Sequence, residues 1–205
     1  MRIFVAGASG VIGMRLVPRL VDAGHDVAGM TRSPDKMSAT AALGAQPVVC
    51  DVFDTAALRD AVAAFAPELV VHQLTDLPDE ASRIPLHIDA NNRIRTEGTR
   101  NLLAAARAAG ARRLLAQSIA WAPPGPGTAV AEHERLVLAA GGVVVRYGRL
   151  YGPGTYYPDA LPEPPRVHVD AAAARTLAYL EAPTGIVTLC DEDHDETAGR
   201  SAPTT

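Results

Sequence analysis

Seven short apolar runs, separated mostly by segments with helical periodicity, limit how this chain can fold more than any other feature. They lie at 2–6, 26–30, 46–50, 68–72, 112–118, 143–147 and 186–190. Runs such as "RIFVA" and "GVVVR" are apolar almost throughout, which is typical of parallel strands covered by helices on both faces. The pattern therefore predicts an α/β fold with a doubly wound parallel sheet of seven strands.

Local signals between these runs agree with that order. Asp54 can cap a helix, and Gly110 can end the helix that begins near Asn91. Two stretches rich in proline and glycine, 121–128 and 151–166, interrupt the rhythm. They predict loops over a ligand cleft.

A glycine-rich loop directly follows the first run and leads into a helix. Its sequence is Gly7-Ala8-Ser9-Gly10-Val11-Ile12-Gly13. Glycines permit a tight turn and let the backbone approach a pyrophosphate, whose charge the free N–H groups and the helix dipole stabilise. The loop lacks the Lys-Ser or Lys-Thr of a P-loop and the spacing of a hydrolase nucleophile elbow. It therefore predicts dinucleotide binding, with a plain strand-to-helix turn as the alternative.

The end of the second run favours the phosphorylated coenzyme NADP(H). Proteins that bind NAD usually place an acidic residue there to hold the ribose hydroxyls, whereas this chain has Thr31-Arg32-Ser33. The Arg32 guanidinium can pair with a 2′-phosphate, helped by the two hydroxyls. A solvated surface arginine is the alternative, and NAD stays possible. Asp51 and Val52, at the end of the third run, are predicted to flank the adenine.

These motifs resemble the extended short-chain dehydrogenase/reductase superfamily, specifically its NAD-dependent epimerase/dehydratase group, from Met1 to about Asp191. The matching pieces are "GASGVIG", Asp51-Val52, "VVHQLT", "EGTRNLLAAARAAG", "LLAQS", "YGPGT" and "VHVD". The resemblance implies a Rossmann-like domain over 1–191 with a reduced substrate lobe. Together with the loop chemistry it assigns coenzyme binding to Gly7, Ser9, Gly10, Val11, Ile12, Gly13, Thr31, Arg32, Ser33, Asp51, Val52, Leu74, Ser118 and Tyr147.

The catalytic pair of that superfamily, a Tyr-x-x-x-Lys motif, is missing from this chain. Lys36 is the only lysine, and no tyrosine precedes Tyr147. Ser118 matches the family's serine that polarises a substrate carbonyl. Arg95 stands where the family often has an asparagine. The resemblance therefore implies a shortened, atypical member.

Candidate catalytic residues are Ser118, Tyr147 and Tyr151. The two tyrosines can donate a proton, or they can simply form the wall of a nicotinamide pocket. His133 is a weaker candidate, because on its helix it reads as a solvated or satisfied histidine, and Glu134 reads as part of an exposed charged face. His168 is expected to support a helix start beside Asp170.

Composition excludes several other classes of function. The net charge of −4, with both signs interspersed, offers no basic stripe for nucleic acid, and no apolar span is long enough for a membrane. The two cysteines show no metal-ligand or redox spacing, so we expect a cytoplasmic protein without a metal. The segment 192–205 predicts a disordered acidic and polar tail.

Two functions remain open at this point. The first is an NAD(P)-dependent oxidoreductase or epimerase, preferring NADP(H), that acts on a small carbonyl, hydroxyl or nucleotide-sugar substrate by an altered mechanism. The second is a catalytically silent NADP(H)-binding sensor or protein-interaction module. A homodimer is possible in either case.

Overall fold

A computed structural model describes residues 1–122 and 127–191 and contains one large parallel sheet. Its strands are β1 (Arg2–Ala6), β2 (Asp26–Thr31), β3 (Gln46–Val49), β4 (Leu69–His72), β5 (Arg113–Ile119), β6 (Val143–Tyr147) and, after two short strands, β9 (Gly185–Leu189). The seven strands follow the order β3-β2-β1-β4-β5-β6-β9. The short strands β7 (Arg149–Tyr151) and β8 (Arg166–His168) pair with each other.

The helices are α1 (Gly13–Asp22), α2 (Met37–Ala42), α3 (Thr55–Phe65), α4 (Ile88–Arg93), α5 (Thr99–Ala108), α6 (Thr128–Ala139) and α7 (Val169–Thr176). A π-helical turn, Ile94–Gly98, joins α4 to α5. Three short 3-10 segments, Pro34–Lys36, Ala81–His87 and Leu177–Tyr179, complete the helical structure in the described residues. This arrangement confirms the predicted α/β fold and its seven-stranded parallel sheet.

The core explains why the strands are apolar throughout. Ile3 and Val5 of β1 pack on the α1 and α7 side of the sheet, whereas Phe4 and Ala6 pack on the α3 and α5 side. Successive strand residues point to opposite faces, so helices on both faces require apolar residues at every position.

The predicted local signals are confirmed, with one shift in a helix boundary. The Asp54 carboxylate accepts the N–H of Ala57 at 3.0 Å, and Gly110 follows α5 with a φ of +77°. His168 caps α7, because its Nδ1 accepts the N–H of Asp170 at 3.2 Å. The helix expected to begin near Asn91 begins earlier, at Ile88.

The strand order creates a crevice between β1 and β4. The chain builds outward from β1 to the edge strand β3 and then returns to the other side of β1 with β4. Ligands of open α/β sheets bind at the carboxyl ends of the strands at such a reversal. The candidate site residues follow those strand ends.

Some predictions concern residues outside those described. The tail at 192–205 and positions 123–126 of the first predicted loop belong to this group. Among the described residues, no helix has the length and hydropathy needed to cross a bilayer.

Candidate functional site

The glycine loop packs tightly against the segment that follows β4. Gly7 has a φ of +94°, and a Cβ on it would lie 2.7 Å from the carbonyl group of Gln73. A Cβ on Gly13 would collide with the carbonyl oxygen of Gly7. Glycine is therefore required at both positions, because only backbone without side chains lets β1, the loop and α1 approach this closely.

The start of α1 leaves backbone donors without partners. The N–H groups of Val11, Ile12 and Gly13 have no acceptor among the described residues. The first turn of α1 carries no acidic side chain that could compensate them. Unpaired N–H groups and the positive end of a helix dipole are the features that hold a phosphate in a protein. The residues present here fit a dinucleotide pyrophosphate.

The end of β2 is organised by hydroxyl groups and an ion pair. Thr31 Oγ1 accepts hydrogen bonds from the Ser9 hydroxyl at 3.0 Å and from the backbone N–H of Ser33 at 3.2 Å. Arg32 binds Asp76 through two hydrogen bonds of 2.9 and 3.2 Å. This bond to Asp76 raises the pKa of Arg32 above its ordinary value. The side chain of Arg32 remains 60% exposed, so an external anion can reach it.

The ends of β3 and β4 carry the other residues assigned to the coenzyme. The Asp51 carboxylate accepts a backbone N–H two residues later, and the buried Val52 accepts a hydrogen bond from Asn101 through its carbonyl. The Leu74 carbonyl accepts from the Gln117 side chain at 3.2 Å. These residues share one edge of the sheet with the glycine loop, and their role in binding stays a prediction.

Ser118, at the end of β5, donates its proton to a carboxylate. Its Oγ lies 2.6 Å from Glu134 Oε1, and Arg146 binds the same carboxylate through Nε at 2.8 Å and Nη2 at 2.5 Å. Burial raises the pKa of Glu134, but the hydrogen bonds from Arg146 and Ser118 outweigh it, and the pKa lies below its ordinary value. An ionised carboxylate can only accept, so the Ser118 oxygen faces its surroundings as a hydrogen-bond acceptor.

Glu134 corrects one expectation from the sequence. The sequence predicts that it lies on an exposed charged face together with Glu132 and Arg135, yet Glu134 is only 7% exposed. Glu132 does lie on that face, where it pairs with Arg135 and Arg100. The difference arises because position 134 faces β5 and β6, where Arg146 is its partner.

Two buried histidines form a directional chain of hydrogen bonds with Thr99. Leu74 N–H donates to His72 Nδ1 at 3.3 Å, and His72 Nε2 lies 3.1 Å from Thr99 Oγ1. The same hydroxyl lies 2.8 Å from His133 Nδ1, and His133 Nε2 lies 2.9 Å from the carbonyl of Gln117. A carbonyl only accepts and a backbone N–H only donates, so the Leu74 and Gln117 groups fix the tautomers of both histidines. The Thr99 hydroxyl accepts from His72 and donates to His133 Nδ1, with the Ile94 carbonyl as a longer second acceptor at 3.4 Å.

Both imidazoles are held in the neutral form. Burial, reinforced by the neighbouring His133, puts the pKa of His72 well below its ordinary value. Burial also lowers the pKa of His133. His133 is thus a satisfied histidine, as expected from the sequence, although it is buried rather than solvated.

The two candidate tyrosines also have committed protons. Tyr147 is 2% exposed, its hydroxyl lies 2.7 Å from Thr176 Oγ1, and it accepts a longer bond from Gln73. Since Thr176 donates to the Ala172 carbonyl, the tyrosine must donate to Thr176. Burial raises the pKa of Tyr147.

Tyr151 lies nearer the surface and donates to Asp191 Oδ2 at 2.7 Å, a bond that raises the pKa of Tyr151. The catalytic assignment of these two tyrosines stays a prediction. Their geometry favours packing and positioning, because each proton already has an acceptor.

Comparison with known proteins decides the family. Residues 3–139 match the sequence profile described as the NAD dependent epimerase/dehydratase family. The chain belongs to this family. The resemblance drawn from the glycine loop and the later motifs is thereby confirmed, and membership supports NAD(P)-dependent oxidoreductase-like chemistry.

Several curated relatives are longer than this chain. A 3-diazoavenalumate denitrifying reductase from a Streptomyces species is 45% identical over 182 aligned residues, covering 77% of this chain and 59% of that protein. A UDP-glucose 4-epimerase from Mycolicibacterium smegmatis is 34% identical over 120 residues, covering 56% of this chain and 37% of that protein. The chain therefore spans less than two thirds of either relative.

A solved structure shows the same fold. The UDP-glucose 4-epimerase of Thermus thermophilus, crystallised in complex with NAD, superposes with a TM-score of 0.76 at 21% identity. The match covers 93% of this chain and 78% of that one. This similarity shows the fold of the chain.

Sequence reasoning missed the histidine chain and the Ser118–Glu134–Arg146 cluster. One signal was present, because His72 ends an otherwise apolar run that predicts a buried strand. A buried polar side chain needs a partner, but the sequence does not show which residue supplies it.

Proposed function

We propose that this chain binds NADP(H) and transfers hydride to a small electrophilic substrate. The observation that carries the proposal is the set of unpaired N–H groups of Val11, Ile12 and Gly13 at the start of α1. They suit the coenzyme pyrophosphate, and the glycines leave room for it to approach the backbone. When bound, the reduced coenzyme supplies the hydride.

Preference for the phosphorylated coenzyme is proposed from the end of β2. Arg32 offers a planar fork of donors, and its present partner, Asp76, is a carboxylate that occupies them as a phosphate would. Ser33 and Thr31 add polar groups beside it. The acidic residue that would select NAD is missing from this strand end.

The committed protons at the site favour a substrate that needs no acid from the protein. Ser118, Tyr147 and Tyr151 all donate to protein acceptors. Reduction of a carbonyl creates an alkoxide that must be protonated, whereas hydride transfer to a cationic electrophile neutralises a charge. The reductase from Streptomyces is named for a diazo substrate and for denitrification.

We therefore propose diazo compounds as the first substrate class. In the diazonium form, hydride makes a new C–H bond, the C–N bond breaks, and dinitrogen leaves with the electrons of that bond. The charge is neutralised and no protein proton is consumed. Small carbonyl compounds are the second class to be tested.

A silent NADP(H)-binding module is the alternative function. The same committed hydroxyls favour it, because none of the three candidate residues has a proton that is free for a substrate. A sensor would need the glycine loop and Arg32 but no accessible substrate site. A homodimer and a cytoplasmic location remain predictions for both functions.

Coenzyme titration followed by turnover assays separates the two functions. We expect NADPH to bind more tightly than NADH, measured by its fluorescence, and to be oxidised when an arenediazonium salt is added, with release of dinitrogen. Tight binding without turnover of diazonium or carbonyl panels would favour the silent module.

Replacing Arg32 tests the coenzyme preference directly. Arg32→Ala should weaken NADPH roughly tenfold or more while sparing NADH, because a charge-assisted bidentate contact is lost. Arg59→Ala is the matched control, since Arg59 also forms an exposed ion pair but on helix α3. Equal loss for both coenzymes would show that Arg32 does not read the phosphate.

A further inference from the structure

Arg95 lies in the π-helical turn Ile94–Gly98, which joins α4 to α5 and packs against α6. One turn earlier, Asn91 accepts the backbone N–H of Asp76 in the segment after β4. One turn later, Thr99 binds His72 and His133. Residues four apart on a helix share a face, so Arg95 belongs to the face directed at the ends of β4 and β5. Single π-turns inside helices occur frequently at functional sites.

The guanidinium of Arg95 has no partner within the described residues. Several other arginines, among them Arg83, also lack one, but they are exposed to solvent. Arg95 is the one arginine within 1–122 and 127–191 that is partly buried and makes neither a side-chain hydrogen bond nor an ion pair. Burial lowers the pKa of Arg95, and no carboxylate compensates it.

Two carboxylates that lie near the same helix are already engaged elsewhere. Glu134 is held by Arg146 and Ser118, and Asp76 is held by Arg32. His133, whose pKa is lowered by burial and also by the charge of Arg95, is neutral. A guanidinium stays charged in proteins, so Arg95 carries an uncompensated positive charge with five donors.

This guanidinium remains reachable from solvent. Every side-chain nitrogen or oxygen that is sealed inside the described part of the molecule has a hydrogen-bond partner. Since the Arg95 nitrogens have none, they must keep some exposed surface. A shielded, reachable and unpaired fork of donors matches the geometry of a carboxylate.

We propose that Arg95 binds a carboxylate group of the substrate. The coenzyme phosphates are assigned to α1 and to the end of β2, whereas Arg95 lies on the helix that follows β4, in the turn that packs against α6. The inference rests on the proposed function insofar as this side of the crevice receives the substrate. It defines the substrate class as an anionic molecule whose carboxylate lies apart from the reacting group.

Paired probes that differ only in charge test the proposal. Benzoate and cinnamate are titrated against the protein with and without saturating NADPH, beside benzamide and cinnamamide. We expect each carboxylate to bind at least about tenfold more tightly than its amide, because only the carboxylate forms charge-assisted hydrogen bonds with a partly buried guanidinium. This preference should weaken as ionic strength rises.

Substitutions assign the preference to one residue. Arg95→Gln should abolish the difference between acid and amide, and Arg95→Lys should retain part of it, because a lysine keeps the charge but loses the fork. Arg100→Gln is the matched control, since it removes the same charge from the same helix at an exposed position paired with Glu132. Arg95→Gln should not lower the melting temperature, because it removes a charge that lacks a partner.

The outcomes are distinct. Carboxylates that bind no better than amides to the wild-type protein would overturn the proposal, as would Arg95→Gln weakening NADPH while leaving carboxylate preference intact. If NADPH fails to bind but the carboxylate preference is present and depends on Arg95, the proposed function fails while this inference stands.

Discussion

The two halves of the crevice treat their hydrogen-bonding groups in opposite ways. Around the glycine loop, the N–H groups of Val11, Ile12 and Gly13 have no partner among the described residues. Around β5 and α6, Ser118 is bound to Glu134 and His133 is bound at both ring nitrogens. The half around the glycine loop therefore offers unpaired donors to a ligand, whereas the donors around β5 and α6 are already bound to protein acceptors.

This difference teaches what each half can contribute to a reaction. Unpaired, preorganised donors bind an anion without prior rearrangement, so the first half is suited to coenzyme phosphates. A closed network positions its members but gives up no proton without breaking a buried hydrogen bond. The second half is therefore suited to orientation, with Arg95 as its one shielded, uncommitted cation in the described residues.

The largest expected effect concerns the tight turn of the first half. Gly7→Ala should lower the free energy of unfolding by about 4 kcal/mol, because a positive φ and a clash with the backbone of Gln73 add together. Gly24→Ala shares the positive φ but meets nothing within 4 Å, so it should cost only about 1 kcal/mol. Equal losses in urea unfolding would show that the loop is not tightly packed against β4.

The two buried histidines near β5 and α6 should lower the free energy of unfolding below neutral pH. The pKa values of His72 and His133 are lowered by burial, so the unfolded chain binds more protons than the folded one once the pH falls below about 6.5. The contribution of the histidines to stability is fully present above that pH. As the pH falls further, the free energy of unfolding decreases by up to about 1.4 kcal/mol per pH unit for each histidine. Urea unfolding between pH 7.5 and 5 measures this slope, and His72→Gln should roughly halve it. A flat profile would mean that the imidazoles are not neutral in the folded protein.

Removing the Thr99 hydroxyl tests whether the hydrogen bonds that link His72, Thr99 and His133 stabilise the protein. Thr99→Val keeps the shape but leaves His72 Nε2 and His133 Nδ1 without their shared partner, which should cost about 2 kcal/mol. Thr96→Val also removes a hydroxyl, but that hydroxyl only bonds the Asn92 carbonyl, so the cost should stay below about 1 kcal/mol. Thermal unfolding of the two variants decides whether the hydrogen bonds between the histidines and Thr99 stabilise the fold.

The smallest expected effect, on coenzyme affinity, concerns the ion pair between Arg32 and Asp76 near the glycine loop. Asp76→Asn should strengthen NADPH binding roughly threefold without changing NADH, because an exposed pair is worth no more than about 1 kcal/mol and competes with the 2′-phosphate for Arg32. Asp60→Asn, which breaks the exposed pair with Arg59, is the control. Weaker NADPH binding would instead mean that Asp76 holds Arg32 in its binding position.

The amino-acid sequence by itself determined the strands, several helix ends and the glycine loop. Each depends on residues that are neighbours along the chain: a continuous apolar run, Asp54 before α3, Gly110 after α5, and glycines between β1 and α1. The seven-stranded parallel sheet follows from these because strands buried on both faces need helices on both sides. Family membership was reached from the same local motifs.

Only the tertiary structure decided which polar groups are paired. Ser118 and Glu134 are 16 residues apart, Thr99 and His133 are 34 apart, and Arg32 and Asp76 are 44 apart. Such contacts depend on which strands lie side by side, so no local pattern specifies them. The burial of Glu134 and the solitary charge of Arg95 have the same origin, because a side chain gains or lacks a partner only when distant segments pack together.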